Sequence, residues 1–120
     1  MTDYKLGELE SKFVELVWQN EPIGSGELVK LSEKELNWKK PTTYTVLRRL
    51  CQKGILKNEA SVVTSAVKKD EFDSGQSRQF VEEAFDGSLP KFVAAFSRSR
   101  KLSDKEVAEL QRLIDEYRED

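Results

Sequence analysis

A mainly α chain with a small β-hairpin is the fold class this sequence predicts, and three observations carry it. Apolar residues recur at helical spacing along most of the 120 residues. A single stretch, Ser61 to Val67, is instead rich in β-formers. Pro41 and Gly54 frame the helix just before it, a proline suited to a first turn and a glycine suited to the position past a helix end. The length is that of one domain, or of one small domain with an appended arm.

Taken in order, Leu9, Phe13, Leu16 and Val17 place a first amphipathic helix over Glu8 to Gln19. Gly7 serves as its N-cap, and Asn20-Glu21-Pro22 stops it. Ser25 is the N-cap expected for a second helix, with Glu27 favourable to the dipole in its first turn and Leu28, Val29, Ser32 and Leu36 on its core face. A polar connector, Asn37 to Lys40, carries Trp38. The third helix turns Thr43, Val46, Leu47 and Leu50 inward with Cys51 beside them. Thr42, Thr45, Arg48, Arg49 and Gln52 face outward, with Tyr44 on the flank.

Ile55 to Asn58 and Ser61 to Val67 read as two strands about a Glu59-Ala60 turn. Three helices followed by a hairpin is the winged helix-turn-helix order, whose third helix enters a DNA groove. The hairpin forms a short wing with Asn58 and Ser61 nearest its tip. Asp70 to Phe85 is helical again, with Asp73-Ser74-Gly75 as a weak point, and Gly87 closes it. Ser88 caps a short helix bearing Leu89, Phe92, Val93 and Phe96, and Ser97 to Lys101 is a polar break. Ser103 and Glu106 form a capping box, and Leu102 with Val107 a hydrophobic staple. The last helix carries Val107, Leu110, Leu113, Ile114 and Tyr117 as one stripe. Residues 1–68 are therefore expected to be a winged-helix DNA-binding domain and residues 69–120 a helical dimerisation domain.

Composition excludes much chemistry. With no histidine and one cysteine, His-assisted nucleophiles, internal disulfides and the common zinc sets are ruled out. The carboxylates form no paired-acid constellation, so neither an enzyme nor a cofactor is expected. No apolar run reaches membrane-spanning length and no signal peptide is seen, so the chain is expected to be cytoplasmic with no membrane insertion.

The net charge of −2 is near neutral, but its distribution is not. Asn37 to Asn58 holds six basic residues and no acid, while the other 98 residues carry 14 basic against 22 acidic. A basic segment in an acidic chain is the footprint expected for a phosphate backbone, or a surface that is merely solvated. Arg48, Arg49, Thr42 and Thr45 are the candidate DNA contacts on the third helix, where hydroxyl and guanidinium groups meet phosphates and guanine edges. Lys39 and Lys40 sit where a phosphate would also meet the helix N-terminus. Tyr44 either reaches the DNA backbone or a thymine methyl, or packs on Trp38. Trp18 and Trp38 are expected at the core, and Cys51 as a small hydrophobe. The C-terminal helices hardly bury their own apolar faces, so Phe80, Phe85, Leu89, Phe92, Phe96, Leu110, Leu113, Ile114 and Tyr117 are expected to pair two copies.

The chain resembles the penicillinase-repressor family (the BlaI/MecI type) of winged-helix repressors. The resemblance runs from Leu6-Gly7-Glu8-Leu9-Glu10 and Val17-Trp18, through Pro41-Thr42-Thr43-Tyr44-Thr45-Val46-Leu47-Arg48-Arg49-Leu50 with Lys53-Gly54-Ile55-Leu56, to Phe85-Asp86-Gly87-Ser88-Leu89 and the Leu110 to Tyr117 helix. It implies a homodimer that binds a pseudo-palindromic operator in double-stranded DNA and blocks transcription. It also implies derepression by proteolysis in the C-terminal region, triggered by a membrane sensor metalloprotease. The family's cleavable bond falls here at Ala95-Phe96, with alanine where characterised repressors carry asparagine. The C-terminus lacks the cysteine cluster of the copper-responsive branch, and the neutral Ser61-Val62-Val63-Thr64-Ser65 strand departs from the family's wing. The alternative from another class is a winged-helix protein–protein interaction module whose basic segment docks on an acidic partner.

Overall fold

The computed structural model describes residues 2–119, so the end residues of the two expected domain spans, Met1 and Asp120, lie outside the described residues. The elements run α1 (Glu8–Asn20), β1 (Ile23–Gly24), α2 (Ser25–Leu36), α3 (Lys40–Gln52), β2 (Leu56–Glu59), β3 (Val62–Ser65), α4 (Lys69–Ala84), α5 (Leu89–Ser99) and α6 (Asp104–Tyr117). The architecture is mainly helical with a small antiparallel sheet of order β1-β3-β2, as a winged helix requires. By compactness the chain divides into two units between Gln79 and Phe80, inside α4.

In the first unit, α1, α2 and α3 pack over the sheet. Phe13, Val14 and Val17 of α1 meet Leu28 of α2, Val46, Leu47 and Leu50 of α3, and Ile55, Leu56 and Val63 from the hairpin. Fully burying side chains of this size contributes roughly 1.5–3 kcal/mol each. Trp38 stacks on Phe13 at 5.4 Å, while Trp18 lies edge-on to Phe72 at 5.4 Å and donates its indole N–H to Val67 O at 3.0 Å. Both tryptophans thus close the edge of this core, as expected.

Several local expectations are corrected. Leu9 is 52% exposed and Val14 takes the inward position, because the buried stripe of α1 is rotated toward Val14. Ser25 is the first residue of α2 and Gly24 its N-cap; the Ser25 hydroxyl accepts instead from Tyr44 Oη at 3.2 Å. The strand β1 was not expected: two residues pair Ile23 with Val63 and Gly24 with Val62, along the free edge of β3. The wing turns at Ala60-Ser61 and not at Glu59-Ala60, because Glu59 pairs with Val62. Both turn residues take positive φ, 50° and 64°, as a two-residue turn matched to the strand twist demands.

The weak point in α4 does not break it. Gly75 lies under the ring of Tyr4, which also meets Phe72 edge-on at 5.8 Å. The missing side chain is what lets that ring sit on the helix. Around it, Tyr4 N–H donates to Gln79 Oε1 at 3.0 Å and Asp3 N–H to Lys53 O at 3.0 Å. The N-terminal strap therefore ties the end of α3 to α4.

The second unit begins with Phe80. Phe80, Phe85 and Phe92 form a triangle of edge-to-face contacts at 5.5–6.0 Å, with Phe96 next to Phe92 at 6.4 Å. Gly87 adopts φ +79° past the end of α4, and the Ser88 hydroxyl caps α5 by accepting from Lys91 N–H at 3.2 Å. The polar break is shorter than expected. Ser97 and Ser99 stay helical, their hydroxyls donating to Val93 O and Phe96 O. The Ser103/Glu106 capping box forms, and Glu106 also holds Arg100 through two bonds of 2.8 and 2.9 Å. No described residue after Phe72 is buried.

Candidate nucleic-acid interface

The rotation of α3 is set by its inward stripe. Thr43, Val46, Leu47 and Leu50 are all buried, which forces Thr42, Thr45, Arg48, Arg49 and Gln52 to the exposed side. Pro41 lies in the first turn, Gly54 takes φ +82° beyond the last, and no side chain caps the N-terminus. The uncapped first-turn N–H groups thus open beside the exposed Lys39 and Lys40, an arrangement suited to an anion. Thr45 donates its hydroxyl to Pro41 O at 2.9 Å, leaving its lone pairs outward. Thr42 is exposed on the same face.

The basic residues differ in what surrounds them. Among the described residues no carboxylate lies within ion-pair distance of Lys39, Lys40, Arg48 or Lys57. Arg49 Nη1, by contrast, lies 3.7 Å from Glu10 Oε2, and Lys53 Nζ lies 3.9 Å from Glu10 Oε1. Lys53 also donates to Lys5 O at 2.7 Å. A stretch without acids in the sequence therefore meets one in space. Glu10 was not among the sequence candidates, since a count confined to residues 37–58 cannot register a side chain delivered by α1.

Tyr44 is half-buried with its hydroxyl on Ser25, so α2 holds it at the flank of the exposed face. Tyr44, Leu47, Arg48, Cys51 and Asn58 line a cavity of about 270 Å³ between α3 and β2. Burial pushes the Cys51 thiol up, so the thiolate form is disfavoured. Asn58 of the wing thereby joins Arg48 at one crevice, a pairing that linear spacing gave no means of finding.

In the second unit, Phe80, Leu89, Phe96, Leu110, Leu113, Ile114 and Tyr117 are exposed, Ile114 by 60% and Tyr117 by 77%. Phe85 and Phe92 are half-buried within the aromatic cluster. A cavity of about 310 Å³ opens between α5 and α6, lined mainly by Phe92, Val93, Phe96, Leu102, Leu110 and Leu113. Ala95 and Phe96 lie inside α5. Among the described residues no helix is long and apolar enough to cross a membrane, and no cluster of three acids or cysteines is placed to hold a metal.

Residues 6–116 match the family model described as penicillinase repressor. The penicillinase repressor of Bacillus licheniformis is 25% identical over 118 residues, covering 95% of this chain and 92% of that one. The methicillin resistance regulatory protein MecI of Staphylococcus aureus (strain Mu50) is 21% identical over 115 residues, covering 92% and 94%. A penicillinase repressor of Staphylococcus aureus is 23% identical over 105 residues, covering 84% and 83%.

Proposed function

This chain belongs to the penicillinase-repressor family, a family of transcriptional repressors and not of enzymes, and on that premise we propose that it is a cytoplasmic homodimer whose paired α3 helices bind a pseudo-palindromic DNA operator. The observation that carries the reading is the outward face of α3. It presents Thr42, Thr45 and Arg48 beside Lys39 and Lys40, with no carboxylate against those three cations among the described residues. Arg48 is the base-reading or phosphate-clamping group, and the two lysines meet the backbone at the helix N-terminus. Tyr44 and Arg49 border this face, positioned by Ser25 and Glu10. DNA binding is assigned to residues 1–68 and dimerisation to residues 69–120.

Dimerisation is supported by the apolar surface left on α5 and α6. Leu89, Phe96, Leu110, Leu113, Ile114 and Tyr117 are all exposed within one chain, and a second copy would cover them. Derepression is by cleavage at Ala95-Phe96, carried out by a membrane sensor metalloprotease. That bond lies within α5, so the helix must open locally before a protease can hold it extended. Within one chain α5 holds no buried residue, so the contacts of Leu89 and Phe96 with a second copy are the packing such opening must overcome.

The test is a mobility shift of DNA fragments from upstream of the chain's own gene and its neighbours, using the full chain and Arg48→Ala. Retardation of one fragment by the natural chain, weakened by Arg48→Ala, is the expected result. Failure to bind any fragment, together with capture of an acidic protein that Arg48→Ala releases, overturns it in favour of a protein-docking module.

A further inference from the structure

Among the described residues, Glu10 supplies the one carboxylate within ion-pair distance of the basic residues of α3 and its C-cap. It projects from α1, is largely buried, and lies 3.7 Å from Arg49 and 3.9 Å from Lys53. Its Oε1 accepts the Gly7 N–H at 3.0 Å, which ties the side chain back to the N-cap of α1. Its Oε2 is buried and accepts no hydrogen bond. A carboxylate oxygen without a donor keeps its full field for the nearest cation, here the Arg49 guanidinium. Arg48, one residue earlier, has no such neighbour among the described residues.

We propose that Glu10 is a specificity-setting residue that holds Arg49 and Lys53 off the DNA backbone, leaving Arg48 as the arginine of α3 that engages DNA. This rests on the DNA-binding reading above. A helix with every cation available would bind any phosphate backbone tightly, since such contacts carry no sequence information. The single Glu10 charge, shared between these two cations, offsets one of them, which lowers that indiscriminate part and leaves base reading to a larger share of the total. Glu10 does not touch DNA; it acts through Arg49 and is a positioning residue.

The experiment compares salt dependence of binding to operator and to unrelated DNA for the natural chain, Glu10→Gln, Glu8→Gln, Arg49→Ala and the Glu10→Gln/Arg49→Ala pair. Glu8 is the control, an exposed acid on the same helix paired with Lys12 at 3.6 Å. Glu10→Gln is expected to tighten unrelated DNA roughly five- to tenfold per protomer near 0.1 M salt and to steepen the log–log slope by about one. Glu8→Gln should do neither. Most of the Glu10→Gln gain should vanish in the pair, and Arg49→Ala alone should leave the slope of the natural chain unchanged. Equal effects of Glu8→Gln and Glu10→Gln, or a flatter slope for Arg49→Ala alone, would overturn the inference even though DNA binding itself persists. Loss of all salt-dependent binding in the natural chain would instead defeat the DNA-binding reading. Should Glu10→Gln fail to fold, the Arg49→Ala slope decides the matter alone.

Discussion

The ring of Tyr4 occupies the space that a Cβ on residue 75 would need, so the glycine in the middle of α4 is a seat for an aromatic side chain from the N-terminal strap. Helix propensity alone says that Gly75→Ala should stabilise by about 0.5–1 kcal/mol. Contact with the Tyr4 ring says the opposite, since forcing a packed ring aside costs about 1–3 kcal/mol. The packing cost wins, and Gly75→Ala is expected to lower stability by about 1 kcal/mol net. In a Tyr4→Ala background the ring is gone and the same substitution should become stabilising. Denaturant unfolding of the four chains reads the reversal of sign directly.

Glu21 anchors the end of α1 to the sheet. Its carboxylate accepts from the Ser65 N–H at 2.9 Å and the Ser65 hydroxyl at 2.8 Å, with Lys68 Nζ at 3.4 Å. Partial burial alone would raise this carboxyl, but the two Ser65 donors and the Lys68 charge together bring it below the usual value. A depressed folded-state value means that the contribution is present above the unfolded-state pKa and is lost as pH falls through the folded one. Glu21→Gln is therefore expected to cost about 1 kcal/mol at pH 7. The gap to the natural chain should close as pH falls below about 4.5. Urea midpoints across pH 3 to 7 measure it.

Much of the fold was legible because local chemistry and tertiary packing agree. Pro41, Gly54, the Ser88 cap and the Ser103/Glu106 box each fix a helix end where the sequence placed it. The inward stripe of α3 was readable from spacing, and the outward face follows from it. What was not legible depends on partners far along the chain. Ile23-Gly24 becomes a strand only because β3 offers an edge. Gly75 reads as part of a weak point until Tyr4 is laid on it, and Glu10 carries no signal of its own until α3 brings Arg49 and Lys53 beside it. Leu9 failed for a related reason: its spacing fits the apolar stripe, but the α1 contact surface is rotated toward Val14.

The apolar surface of α6 makes a prediction about assembly. Leu113→Asp places a charge where a second copy would pack, and burying an unpaired carboxylate costs several kcal/mol. Equilibrium sedimentation should give twice the 13.8 kDa chain mass for the natural protein and a single chain mass for Leu113→Asp. Because Leu113 is 42% exposed within one chain, the substituted protein should keep its helical circular dichroism. A natural protein that sediments as a monomer at all concentrations contradicts this part of the account.

Arg48 and Lys40 should fail in different ways. Arg48→Ala is expected to cost roughly 1–3 kcal/mol on the operator and to relax preference at the base it reads. Lys40→Ala should weaken all sequences alike and reduce the salt slope by about one. Competition against randomised duplexes separates the two patterns.

The most direct test of the central claim is the salt dependence of operator binding by the full chain. A dimer that neutralises about 6–8 phosphates should show log affinity falling with log salt at a slope near −5 to −7 between about 50 and 200 mM. A slope near zero over that range, with the chain folded, would contradict the assignment of α3 as a DNA-binding face.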